Sequence, residues 1–134
     1  MSLFRVKYLS FFLGLISIFS FFNIIYSYYF NLYLNLNTYY FSLIISSILA
    51  LVFYNIQSDD KKPSIYEKIL TVFFGYFLLP LILSIPFYFS IYNLTFFNSL
   101  FESVSGFTST GFTIFENIKH IDPGLILWRS SIQW

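Results

Sequence analysis

The chain has 134 residues, of which 57% are hydrophobic, 25% aromatic and only 10% charged, with a mean hydropathy of +0.73; this is the balance of a membrane protein, not a soluble one. A net charge of +1 supplies no basic stripe to follow a phosphate backbone, so nucleic acid is excluded as a partner. The absence of cysteine excludes a disulfide framework, a thiolate nucleophile and a Cys-type metal site, and the lone His120 cannot make a metal site by itself.

Residues 8–58 carry no charge. As one helix these 51 residues would run about 77 Å against a hydrocarbon core of about 30 Å, so the stretch must cross twice. The break is placed at Asn31–Asn37, where Asn31, Asn35 and Asn37 recur among Tyr26, Tyr28, Tyr29, Tyr33, Tyr39 and Tyr40, the composition of an aromatic interfacial belt. That gives spans near 8–30 and 38–56. A third apolar run follows Lys68 and continues to about Tyr92, with Pro80 and Pro86 expected to kink it or end its regular part.

Arg5, Lys7, Lys61, Lys62 and Lys68 fall on one side of these spans. Because short cytoplasmic loops hold an excess of Lys and Arg, the N-terminus and the linker Gln57–Ser64 are assigned to the cytoplasm. The asparagine turn and the region after Tyr92 are then external. A signal peptide over residues 1–30 is the competing reading, disfavoured because no small-residue cleavage site follows.

After the third span, Asn93–Gly106 gives about ten residues of helical pattern, advancing some 15 Å, or half a membrane. Ser99 with Glu102 matches a capping box, Thr95 is another N-cap candidate, and Gly106 suits a left-handed stop. Phe107–Thr113 then reads Phe-Thr-Ser-Thr-Gly-Phe-Thr, too apolar for a solvated loop and too rich in hydroxyls and glycine for a lipid-facing helix. A protein-buried extended loop fits it, with Gly111 free to turn successive carbonyls toward one axis. Such carbonyls, after a short helix that ends inside the membrane, are how pores replace the water around a cation. Asp122-Pro123 reads as an N-cap followed by proline at the first position of a fourth helix.

Three ordered motifs, Ile85-Pro-Phe, Phe101–Thr113 and Leu127–Trp134, resemble the TrkH family of the Trk/Ktr/HKT cation transporter superfamily over residues 69–134. The two preceding spans match in number and position, since TrkH proteins carry two extra helices that KtrB proteins lack. The resemblance implies an all-α integral membrane fold: two N-terminal helices (1–58), a cytoplasmic linker (59–68) and a first pore repeat (69–134) of transmembrane helix, re-entrant pore helix, filter strand and the start of a second helix. It implies potassium uptake across a bacterial cytoplasmic membrane, with K+ as transported ion and no covalently bound cofactor. The backbone carbonyls of Thr108, Ser109, Thr110 and Gly111 would be the first quarter of the filter, Ser109 and Thr110 contacting the ion most directly. Ser109 stands where threonine is common, and glycine at 111, where some sodium-favouring relatives have serine, suits potassium. The family's three other repeats, a homodimeric assembly and a cytoplasmic nucleotide-binding TrkA-type subunit would be the partners, beside the lipid bilayer. The chain is therefore expected to be the N-terminal part of a longer transporter, truncated within a helix; the alternative is a small non-transporting membrane protein, a decayed or accessory fragment.

Glu102 and Arg129 both fall at depths where a lone charge is costly, and are expected to pair and anchor the pore loop to the next helix. On that expectation, reversing both charges should restore what either reversal loses. Glu116, His120 and Asp122 sit in a short polar turn with simpler roles as cap and solvated charges. Asn93-Leu-Thr95 fits the glycosylation pattern, but a capping role for Thr95 is preferred. No Ser-His-Asp set, His-Glu-x-x-His or glycine-rich phosphate loop is present, so the chain is not read as an enzyme.

Overall fold

The computed structural model describes residues 7–56 and 64–133. Among them the chain forms α1 (Lys7–Tyr29), α2 (Leu36–Asn55), α3 (Ile65–Leu83), α4 (Ile85–Tyr88), α5 (Phe96–Phe107), a 3-10 turn at Ile118–His120 and α6 (Pro123–Gln133), with no strand. Three stretches are long and apolar enough to cross a membrane: Tyr8–Tyr29, Leu36–Asn55 and Ile65–Tyr88. Arg5, Lys61, Lys62 and most of the linker, on which the expected orientation rests, lie outside the described residues.

Helices α1 and α2 pack as an antiparallel hairpin whose seam is polar and whose outside is apolar. Ser10, Leu13, Ser17, Ser20, Ile24 and Ser27 recur at alternating three- and four-residue steps on α1, the 3.5-residue period of a left-handed helix pair. Ser10 Oγ donates to Ala50 O at 2.8 Å, Ser17 and Ser47 share a bond of 2.8 Å, and Ser20 Oγ donates to Ser42 Oγ at 3.0 Å. Phe11, Phe12, Phe21 and Phe22 point outward. This inversion suits a lipid solvent, where apolar side chains gain nothing by meeting each other and small hydroxyl residues let backbones approach and bond. The hairpin turns at Asn31, in the left-handed region at φ 56°, where Asn is among the few residues that sit without large strain.

Helix α3 starts four residues before the expected span. Ser64 and Glu67 form a capping box that carries the helix back through Lys68, so local hydrogen bonding, not the onset of the apolar run, sets its start. Pro80 lies inside α3 without ending it, and the break falls at Ser84. Pro86 then occupies the first turn of α4, where its missing N–H costs nothing. Beside the break, the Trp128 indole N–H donates to Leu83 O at 3.2 Å.

Of the two caps expected for α5, the second is the one that forms. Thr95 is its N-cap, accepting from Asn98 N, while Ser99 lies inside the helix and donates to Thr95 O at 3.0 Å. The Ser99–Glu102 capping box does not form, because the first turn begins one residue after Thr95 and leaves Glu102 free to face inward. Helix α6 buries Leu125, Trp128 and Ile132 on one stripe, against Tyr39 of α2 and the C-terminal part of α5. Tyr39 and Trp128 rings lie 6.3 Å apart. Gly106 is a packing position and not a left-handed stop: a Cβ there would come within 3.2 Å of Ile132.

One side chain ties the outer ends together. Asn35, 1% exposed, donates from Nδ2 to Asp122 Oδ2 at 3.0 Å and accepts from Ile91 N at 3.0 Å. It thereby joins the α1–α2 turn, the segment after α4 and the start of α6. Gly124 allows this approach, since a Cβ would meet Tyr39 Oη at 3.0 Å, Asp122 Oδ2 at 3.1 Å and Ser27 Oγ at 3.3 Å. Asn35→Ala should lose about 2–6 kcal/mol, since it strands the buried Asp122 carboxylate and the part-buried Ile91 amide at about 1–3 kcal/mol each. Ser17→Ala, which removes one bond of the seam, should lose only about 0.6 kcal/mol. Reversible unfolding in mixed micelles checks the contrast, and equal losses would contradict it.

Candidate ion-pathway loop

The loop after α5 is fixed by its own backbone first. Ser109 adopts φ 56°; Ser109 N donates to Gly106 O at 2.9 Å and Thr110 N to Ser105 O at 3.0 Å. That pair of bonds is a Schellman stop with Ser109 in the left-handed position, three residues beyond the glycine expected to serve. Gly111 follows at φ 78°, a conformation that costs glycine least. Ser105 reinforces the reversal: its Oγ donates to Phe112 O at 2.6 Å, and Thr110 Oγ1 donates to Ser105 O at 3.2 Å.

A second layer of bonds comes from Glu102, which is fully buried. Its Oε1 accepts from Thr113 Oγ1 at 2.8 Å and from Ile114 N at 2.6 Å. Its Oε2 lies 3.3 Å from Arg129 Nη1, within ion-pair range but outside hydrogen-bond alignment. Arg129 Nη2 donates to Phe112 O at 2.7 Å and to Gly111 O at 3.2 Å. The carboxylate therefore holds the far end of the loop by an N–H and a hydroxyl, while the guanidinium holds its middle by two carbonyls. Each ion satisfies donors or acceptors that would otherwise be stranded, and each neutralises the other.

Among the described residues, the carbonyls of Thr108, Ser109 and Thr110 receive no hydrogen bond, and all three residues are exposed. Gly111 O, grouped with them on sequence grounds, is the one engaged by Arg129. Asp122 carries the backbone cap of α6, its carbonyl accepting from Leu125 N and Ile126 N, but its side chain turns to Asn35. Glu116 and His120 are exposed and Asp122 is buried, and no group of three acidic or histidine side chains poised for a metal occurs among the described residues. Sequence reasoning missed Ser105, Thr113 and Asn35. Only Asn35 left a signal, an amide between apolar spans that must find partners.

No family model and no solved structure matches the chain. Two curated relatives do. A Trk system potassium uptake protein, TrkI, of Halomonas elongata is 45% identical over 56 residues, covering 42% of this chain and 10% of the relative. An uncharacterized cation transporter of Methanocaldococcus jannaschii is 25% identical over 107 residues, 78% of this chain and 22% of the relative. The chain is similar to part of Trk-type cation transporters. It spans about a tenth and a fifth of these relatives' lengths, and its three membrane-length helices agree with them in making it a multi-pass membrane protein.

The geometry changes what charge reversal should do. A swapped pair, Glu102→Arg with Arg129→Glu, regains the ion pair but not the bonds to Ile114 N, Thr113 Oγ1, Gly111 O and Phe112 O, because an arginine has no acceptor and a carboxylate no donor. Hydrogen exchange at the Ile114 amide should accelerate at least tenfold in Glu102→Arg and stay accelerated in the double swap, each charge-assisted bond being worth about 1.5–3 kcal/mol. Recovery of slow exchange in the swap would show that net charge alone holds the loop.

Proposed function

We propose that this chain supplies one quarter of the selectivity filter of a Trk-type potassium uptake system, its loop carbonyls replacing the hydration shell of a transported K+ ion. The observation that carries this reading is the pairing of opposites in one loop. The carbonyls of Ser109 and Thr110, with Thr108 beside them, are left without donors, while the residues immediately beyond are clamped by the buried Glu102 carboxylate and the part-buried Arg129 guanidinium. Carbonyls held in place yet unsatisfied would cost several kcal/mol each against lipid, so they call for a cation and neighbouring strands. Gly111 serves by its backbone angle, and Glu102 and Arg129 support the loop.

Exposed aromatic side chains point the same way. Phe97 and Phe101 on α5 and Phe112 in the loop stand uncovered, an apolar surface fit to be buried by further helices. In this reading three more helix, loop and helix repeats of the same protein complete the ring. The assembly is a homodimer in the bacterial cytoplasmic membrane, with its N-terminus inside and a TrkA-type nucleotide-binding subunit beneath it. The chain acts in transport, not as an enzyme. Support for potassium comes from the named function of the Halomonas relative and from glycine at 111.

Complementation tests this. A potassium-uptake-deficient host should grow at low potassium when given the gene together with any coding sequence continuing past Trp134, and residues 1–134 alone should give no growth. Gly111→Ser in the rescuing gene should lower the preference for K+ over Na+ roughly tenfold, equivalent to about 1.4 kcal/mol, measured by competitive rubidium and sodium uptake. Rescue by residues 1–134 alone, or an unchanged ion preference, would overturn the quarter-filter reading.

A further inference from the structure

Away from the loop, a groove of about 520 Å³ runs between α1 and α3, within the size range of small-molecule sites. Exposed Lys68, in the first turns of α3, marks its mouth, and Tyr8, Leu9, Gly75, Leu79 and Phe107 are among the residues that line it. From Lys68 to Leu79 the helix rises about 16 Å, close to half of a hydrocarbon core of about 30 Å. The groove thus has the depth of one leaflet, apolar along its length and cationic at its mouth.

Gly75 keeps it open. A Cβ there would meet Leu9 Cδ1 at 3.5 Å and Leu79 Cδ1 at 4.0 Å, ordinary van der Waals distances, so α1 and α3 do not approach closely enough to require glycine. The missing side chain leaves space instead. Lys68 is exposed and forms no ion pair among the described residues, while the neighbouring Glu67 carboxylate accepts from Ser64 N in the helix cap. The sequence adds Arg5, Lys7, Lys61 and Lys62 on the same side of the spans.

We propose that this groove binds an anionic phospholipid, one acyl chain lying along Gly75 toward Phe107 and the phosphate meeting the Lys68 ammonium. The charge at the mouth selects the headgroup, as juxtamembrane lysines do, and the apolar length selects a chain. Because Phe107 directly precedes Thr108, the occupant abuts the end of α5 beneath the loop. The inference stands apart from the transport reading, since it needs only the packing of α1, α3 and the end of α5.

Native mass spectrometry on the purified chain, equilibrated with equal amounts of phosphatidylglycerol and phosphatidylcholine of identical acyl chains, tests it. One phosphatidylglycerol should be retained about fivefold over phosphatidylcholine. Lys68→Gln should bring that ratio near one while lipid is still retained, and Gly75→Leu should abolish retention. Equal retention of both lipids by the unaltered chain, or an unchanged ratio in Lys68→Gln, would overturn the proposal. Lys68 is a surface residue, so its substitution gives a readout even where Gly75→Leu fails to fold. The same measurement on a longer product of the gene would also overturn it if the groove there excludes lipid in favour of a later segment of the chain.

Discussion

The buried carboxylate of Glu102 is the constraint on which the loop depends. A charge with no exposed surface is tolerated inside a protein only with a counter-ion and hydrogen-bond donors around it, and here every such partner belongs to the loop or to α6. Ile114 N and Thr113 Oγ1 satisfy one oxygen, and Arg129 stands 3.3 Å from the other. Arg129 also donates to Gly111 O and Phe112 O. The result is a stretch of backbone fixed by the helix stop of α5 on one side and by the two ions on the other, with the carbonyls of Thr108 to Thr110 left free between them. The clamped and the free backbone are thus separated along seven residues, Thr108 to Ile114.

That arrangement requires α6 to be in the right place, and the hairpin of α1 and α2 puts it there. Asn35 links the hairpin turn to Asp122 at the start of α6, Tyr39 packs against Trp128, and Gly124 permits the approach. Asp122 N also donates to the Tyr92 hydroxyl at 2.6 Å. Arg129 lies less than two helical turns from Asp122, so the outer contacts of the hairpin reach the loop through one short rigid element. The two N-terminal helices are therefore a brace for the loop as well as a membrane anchor.

Much of this was legible in the residues because lipid makes a few rules strict. The 51 uncharged residues had to cross twice, the asparagines had to lie at an interface, and a charge in α5 had to find a partner near its own depth. Boundaries were legible only where a local bond coincided with the apolar pattern. Helix α3 began early because Ser64 and Glu67 cap it, and α5 took Thr95 as its cap because Glu102 was needed inside. The left-handed stop fell on Ser109, not Gly106, since Gly106 is consumed by contact with Ile132. These choices depend on which side chains meet in space, and no spacing rule reveals that. The polarity of the α1–α2 seam was equally hidden: its serines lie at a regular period, but only the partner helix shows that they bond across it.

In the function we propose, Ser109 and Thr110 present their carbonyls to a dehydrated potassium ion once neighbouring strands close the ring. Anomalous diffraction from rubidium-soaked crystals of the assembled transporter tests it most directly. The expected result is an anomalous peak coordinated by the carbonyl oxygens of Ser109 and Thr110, with Gly111 O still bound to Arg129. A filled ion pathway whose peaks lie away from these two carbonyls, or carbonyls turned from the axis and hydrogen-bonded to protein, would contradict it.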